Sequence, residues 1–130
     1  MRFELIDQVL EHTPDRLVAT KNVTTAEEYL ADHFPGFAVL PGVLMLEALV
    51  QAGRRLLADR GGPLVLGQVR NMRYGNMVRP GQCLKVEVSI RNERDDQFEL
   101  TGMGKVDDQV AVQGRFTLTP IERTASENPA

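Results

Sequence analysis

The stretch from Pro41 to about Asp59 constrains the fold most strongly, because it predicts one long helix that is apolar on nearly every side. Proline suits the first turn of a helix, and Gly61-Gly62 would end it. The apolar side chains are those of Val43, Leu44, Met45, Leu46, Ala48, Leu49, Val50, Ala52, Leu56 and Leu57. A helix of this kind must be buried all round. We therefore expect a sheet that curls around the helix and a second subunit that covers the rest, which makes a homodimer.

Strand-like segments make up much of the remaining sequence. Those after the helix cover residues 63–78, 82–93, 97–107 and 109–120, with turn signals at Pro80-Gly81, Asp95-Asp96 and Asp107-Asp108. Before the helix, residues 15–24 favour a strand, residues 25–34 fit a short capped helix, and residues 1–10 fit a strand or a helix equally well. This order predicts an α+β fold, with a curled antiparallel sheet around one long central helix. We expect a single domain over residues 1–120 and a flexible C-terminal tail over residues 121–130.

Charge and composition argue against several classes of function. The 130 residues carry a formal net charge of −3, which argues against nucleic-acid binding. Polar residues from Glu47 to Arg55 interrupt the most apolar stretch, so no membrane span is expected. Glu4 and Asp7 argue against a signal peptide, and we expect a cytoplasmic protein.

Cysteine and histidine are scarce in this chain. Cys83 is the only cysteine and lies in a strand-like segment, where we expect a small buried side chain. His12 and His33 do not have the spacing of metal ligands, so no metal site is expected.

Glu47 lies inside the apolar helix, one turn before Gln51, and Arg54 and Arg55 continue the polar stripe toward the helix end. One interpretation is that Glu47 simply pairs with Gln51 or with an arginine. The other involves His33, which precedes a rigid Phe34-Pro35-Gly36 turn. An imidazole and a carboxyl group in apolar surroundings form a natural base and acid. The unpaired N–H groups of the helix start, at Gly42, suit a developing oxyanion.

Residues 33–53, HFPGFAVLPGVLMLEALVQAG, resemble the signature of the 3-hydroxyacyl-[acyl-carrier-protein] dehydratases of type II fatty acid synthesis, which have the hot-dog fold. The family's His-Phe-Pro, Pro-Gly-Val and Glu-Ala-x-x-Gln motifs begin here at His33, Pro41 and Glu47. The resemblance implies a lyase that dehydrates a (3R)-3-hydroxyacyl thioester to the trans-2-enoyl thioester, in fatty acid or related lipid or polyketide biosynthesis.

The resemblance also implies a role for each matching residue. His33 would remove the proton next to the thioester carbonyl, and Glu47, from the other subunit, would protonate the departing hydroxyl. The Gly42 N–H would polarise the thioester carbonyl, the Val39 carbonyl would orient His33, and Gln51 would position Glu47. No cofactor is implied beyond the phosphopantetheine arm that carries the substrate.

The implied partners are an acyl carrier protein and a second copy of the chain, in a dimer with shared active sites or a hexamer of three dimers. Arg54, Arg55 and Arg73 would form a basic rim for the acidic carrier. The chain departs from the family at Asp32, where glycine is usual, at Ala38, where proline is usual, and at Arg54-Arg55, where the family is more apolar. Two alternatives stay open: a hot-dog acyl-thioester hydrolase, which would not need His33, and a non-catalytic subunit that binds acyl chains or completes a heteromeric dehydratase.

Overall fold

The computed structural model describes residues 5–23, 42–60, 63–95 and 97–121. They form one helix, α1 (Gly42–Leu56), and six strands: β1 (Gln8–His12), β2 (Arg16–Asn22), β3 (Leu64–Tyr74), β4 (Cys83–Arg94), β5 (Gln97–Val106) and β6 (Gln109–Pro120). The strands form a single antiparallel sheet in the order β1-β2-β4-β5-β6-β3. Strands β1 and β3 are therefore its edges.

Helix α1 packs on the inner face of this sheet and contacts β2, β3, β4, β5 and β6. A flat sheet could not bring five strands to one helix, so the predicted curl around the helix is confirmed. The core on the helix side consists of Met45, Ala48, Leu49, Val50, Ala52 and Leu56. The cover by the sheet is incomplete, because Val43 in the first turn keeps 69% of its surface exposed.

Alternation along the strands decides which side chains face the helix. In β4, Leu84, Val86 and Val88 are fully buried, whereas Cys83 is exposed. The expectation of a buried Cys83 was wrong, because a strand places neighbouring residues on opposite faces and Leu84 takes the inner one. The sequence showed that Cys83 has apolar neighbours, but not which face of the sheet its side chain takes.

The predicted elements and the observed ones differ mainly at their ends. Helix α1 ends at Leu56 rather than near Asp59, and β3 ends at Tyr74, before the predicted limit at residue 78. The N-terminal segment contains a strand, β1. Asp107 and Asp108 both have positive φ in the tight turn between β5 and β6, as a two-residue hairpin requires. The short helix predicted over residues 25–34 and the tail over 122–130 lie outside the described residues.

Gly102 lets the helix lie close to the sheet, and its replacement gives a test of this packing. A Cβ at Gly102 would lie 3.1 Å from Leu49 Cδ1 and 3.1 Å from Phe116 Cε1. We expect Gly102→Val to lower the free energy of unfolding by about 2 kcal/mol, because the added methyl groups overpack a filled core. Chemical denaturation measures the change. Thr101→Val, on the exposed face of the same strand, is the control, and equal losses in the two variants would contradict the packing argument.

Candidate active site

Glu47 lies near the middle of α1, and its carboxylate is contacted by two side chains from the same helix. Gln51 Nε2 donates a hydrogen bond to Glu47 Oε1 at 3.5 Å, one turn along the helix. Arg54 Nη1 lies 3.7 Å from the same oxygen, two turns along. The three residues share one stripe of the helix because positions three and four apart face the same way.

Both partners of Glu47 are themselves fixed to the backbone of other segments. The Leu5 N–H donates to Gln51 Oε1 at 2.9 Å. Arg54 Nε donates to the carbonyl oxygen of Leu64, at the start of β3, at 3.0 Å. The two groups beside the carboxylate are thus fixed themselves, Gln51 by the N-terminal segment and Arg54 by the edge strand β3.

The side chain of Glu47 is 41% exposed in the single chain. Its helical neighbours Ala48 and Leu49 are fully buried against the sheet. The apolar surroundings expected for this carboxyl group, from the sheet and a second subunit together, are incomplete within one chain, because Glu47 lies on the flank of the helix that the sheet does not cover. An exposed carboxylate on this flank is accessible to a ligand or to a second subunit.

The first residue of α1, Gly42, lies against the ring of Tyr74 at the end of β3. A Cβ at Gly42 would lie 3.1 Å from Tyr74 Cε1. Tyr74 is 49% exposed, so the ring covers one side of the helix start and presents the other outward. The N–H groups of the first helical turn have no partner within the helix and are available to an oxygen of a ligand. Tyr74 was missed by the sequence analysis, because only the path of β3 brings it to residue 42.

The remaining predicted site residues are His33, Val39, Arg55 and Arg73. His33 and Val39 lie outside the described residues. Arg55 is exposed near the end of α1, beside Arg54. Arg73 lies near the other end of β3 from Leu64 and lines a shallow depression of about 250 Å³ with Arg91 and Arg115. The structure therefore places Arg73 in a different basic group from Arg54 and Arg55, because Arg54 contacts β3 at its start and Arg73 lies near its end.

One ion pair with a displaced pKa has a structural role. Arg16 Nε lies 2.6 Å from Glu87 Oε2 and, chiefly through this hydrogen bond, lowers the pKa of the Glu87 carboxyl and raises that of the guanidinium. The pair joins β2 to β4. It stabilises the ladder and makes no contact with Glu47.

Two further classes of site were searched for over the four described ranges. These ranges contain no group of three histidine, cysteine, aspartate or glutamate side chains that could hold a metal ion. In the same ranges, no helix has the length and apolar character needed to cross a membrane.

Comparison with known proteins places this geometry in a family. The family model described as ApeI-like, ApeI dehydratase, matches residues 9–115. The chain belongs to this dehydratase family. It is 35% identical over 127 residues to the 3-hydroxyacyl-[acyl-carrier-protein] dehydratase FabZ of Caulobacter vibrioides, covering 92% of this chain and 80% of that protein. The corresponding FabZ of Thermotoga maritima is 39% identical over 118 residues, covering 89% of this chain and 85% of that protein.

A solved structure gives the fold of this dehydratase independently. The dehydratase heterocomplex ApeI:P from Xenorhabdus doucetiae contains a chain that matches with a TM-score of 0.72 at 16% identity, covering 92% of this chain and 100% of that one. At this identity the likeness shows the fold alone. The predicted hot-dog architecture, with one helix wrapped by an antiparallel sheet, is confirmed.

Proposed function

We propose that this chain removes water from a (3R)-3-hydroxyacyl thioester attached to an acyl carrier protein and releases the trans-2-enoyl thioester. The observation that carries the proposal is the carboxylate of Glu47, held on one oxygen by Gln51 and accessible on the uncovered flank of α1. The residue lies in a chain of the dehydratase family whose FabZ relatives are named for this reaction.

The proposed reaction needs a base, an acid and an oxyanion site. His33 takes the proton from the carbon next to the thioester carbonyl, with its ring oriented by the Val39 carbonyl. The electron pair forms the new double bond as the bond to the 3-hydroxyl breaks, and Glu47 protonates that oxygen, which leaves as water. The Gly42 N–H, at the start of α1, stabilises the negative charge that develops on the thioester oxygen. The elimination moves two protons and breaks one carbon–oxygen bond without any oxidant or reductant, so we propose that no cofactor takes part beyond the carrier's arm.

We propose that two chains form a homodimer in which each active site takes Glu47 from one chain and His33 from the other. The support lies in apolar surface that one chain leaves uncovered around the helix start and the β3 edge. The exposed fractions are 69% for Val43, 36% for Leu66, 39% for Val69, 49% for Tyr74 and 57% for Met77. Because β3 is an edge strand of the sheet formed by the described residues, its outer side suits pairing with a second copy. A hexamer of three such dimers is the larger assembly that we propose.

We propose that the acidic carrier protein docks on arginines of this chain, which has a net charge of −3 overall. Arg54 and Arg55 form one basic group at the end of α1. Arg73, with Arg91 and Arg115, forms the other, on β3, β4 and β6. Guanidinium groups suit this role because they bind carboxylates and phosphates with two parallel hydrogen bonds.

The reverse reaction tests the proposed function with a simple substrate. Purified protein with crotonyl thioesters of coenzyme A or of a carrier protein is expected to add water, seen as loss of enoyl absorbance without release of free thiol. A thiol reagent in a parallel assay detects hydrolysis of the thioester. Thiol release with no hydrated product would instead identify an acyl-thioester hydrolase, and binding without either product would identify a non-catalytic subunit.

A further inference from the structure

Arg54 holds a position that connects the proposed acid to the sheet. Its Nη1 lies 3.7 Å from Glu47 Oε1, and its Nε donates to the Leu64 carbonyl oxygen at 3.0 Å. The guanidinium is planar and rigid, so a hydrogen bond at Nε fixes the direction in which Nη1 points. The edge strand β3 thereby determines where the positive charge lies relative to the Glu47 carboxylate.

Arg54 and Gln51 approach the same oxygen of Glu47. Gln51 Nε2 lies 3.5 Å from Oε1, and Arg54 contacts Oε1 as well. Within the four described ranges, the hydrogen bond and the ion pair of Glu47 both involve Oε1 and neither involves Oε2. A carboxylic acid carries its proton on one oxygen and accepts hydrogen bonds on the other. One donor and one positive charge on the side of Oε1 therefore leave Oε2 as the oxygen that carries and delivers the proton.

The charge on Arg54 has a second consequence once the proton has left. A general acid becomes a carboxylate in the course of the step, and a cation already placed beside it stabilises the charge as it develops. The guanidinium requires no movement for this, because Leu64 holds it before the substrate binds. Side-chain exposures of 43% for Arg54 and 41% for Glu47 mean that solvent weakens the interaction, so a moderate effect is expected.

We propose that Arg54 is a positioning residue for Glu47, which directs the proton to Oε2 and stabilises the carboxylate that remains. This inference rests on the proposed function, in which Glu47 is the acid. The proposal gives Arg54 a role in the active site that Arg55, its neighbour in the sequence, does not have. This role is additional to any contact of Arg54 with a carrier protein.

The first test compares substitutions of Arg54 in the dehydration of (3R)-3-hydroxybutyryl-coenzyme A, which needs no carrier protein and is followed as a gain of enoyl absorbance. Arg54→Gln is expected to lower kcat about fivefold, the upper size of a partly exposed ion pair, with KM changed less than about twofold. Arg54→Lys keeps the charge but lacks the planar fork, and is expected to regain part of the loss. Arg94→Gln, an exposed arginine in the hairpin between β4 and β5, is the control and is expected to match the wild type. A rise in KM with unchanged kcat would overturn the proposal.

The second test asks whether Arg54 acts through Glu47. In a Glu47→Asp background the carboxylate is withdrawn from Arg54, and adding Arg54→Gln is expected to cost less than about twofold more. A full fivefold loss in that background would overturn the proposal, because Arg54 would then act independently of residue 47. Thermal unfolding of each variant separates a loss of folded protein from a loss of rate.

If Glu47→Gln keeps wild-type activity, the proposed function itself fails. If that variant is inactive but Arg54→Gln equals the wild type, only the role of Arg54 fails.

Discussion

Glu47→Gln is expected to lower kcat for crotonyl thioester hydration by about a thousandfold, which is the usual contribution of a general acid or base. Glutamine has nearly the same shape and keeps an oxygen beside Gln51 and Arg54, but its amide cannot take the proton of the attacking water, which is the reverse of the proton delivery in dehydration. The loss should therefore appear in kcat, with little change in thermal stability. Steady-state kinetics at one wavelength in the enoyl band, together with a melting curve, measures both quantities.

The matched control for this variant is Glu93→Gln. Glu93 pairs with Arg60 at 3.1 Å, on β4, and makes no contact with the proposed site. It is a glutamate of similar exposure, so it reports the effect of removing one carboxylate from the surface. Activity of Glu47→Gln within about tenfold of the wild type would contradict its assignment as the acid.

Mixed dimers of His33→Ala and Glu47→Gln subunits are expected to recover activity that neither homodimer has. If each site takes its base from one chain and its acid from the other, a mixed dimer has one intact site and one site that lacks both groups. Its activity should then be about half that of the wild-type dimer, because a two-fold symmetric dimer has two equivalent sites. Two different affinity tags on co-expressed chains allow the mixed dimer to be purified and assayed directly.

The same experiment distinguishes a shared site from a site within one chain. If His33 and Glu47 of one chain act together, every site in the mixed dimer lacks one of the two groups. Purified mixed dimers would then be as inactive as the parents. A monomer at assay concentration, seen by light scattering, would also contradict the shared site.

Helix α1 and the strands after it could be predicted because their signals are local. Alternation in Leu84-Lys85-Val86 and the apolar run after Pro41 depend on neighbours along the chain, and both appear in the structure where expected. The wrong prediction for Cys83 shows what local signals in the sequence cannot predict. Its neighbourhood is apolar, but the face it takes depends on the register of β4 against β2, which sequence alone leaves open.

In the candidate site, too, the sequence predicted only contacts between residues that are close along the chain. The Glu47–Gln51 pair is a contact between adjacent turns of one helix, so spacing was sufficient to predict it. The hydrogen bonds that join Gln51 to Leu5 and Arg54 to Leu64 connect distant segments, so only the structure revealed them. The exposure of Glu47 was also unpredictable, because it depends on how far the sheet curls around the flank of α1.

The sequence by itself determined an α+β chain with one apolar helix, a carboxylate with its glutamine one turn away, and a motif typical of a dehydratase family. The helix and the carboxylate–glutamine pair follow from periodicity and spacing, which short-range backbone geometry translates directly into structure. The motif was identified by its resemblance to the family. Only the tertiary structure decided that Tyr74 covers the helix start, that Arg54 is fixed to Leu64 beside Glu47, and that Arg73 belongs to a separate basic group. Each of these depends on the path of β3, an edge strand whose position is set by pairing with β6 and by packing on α1 rather than by its own residues.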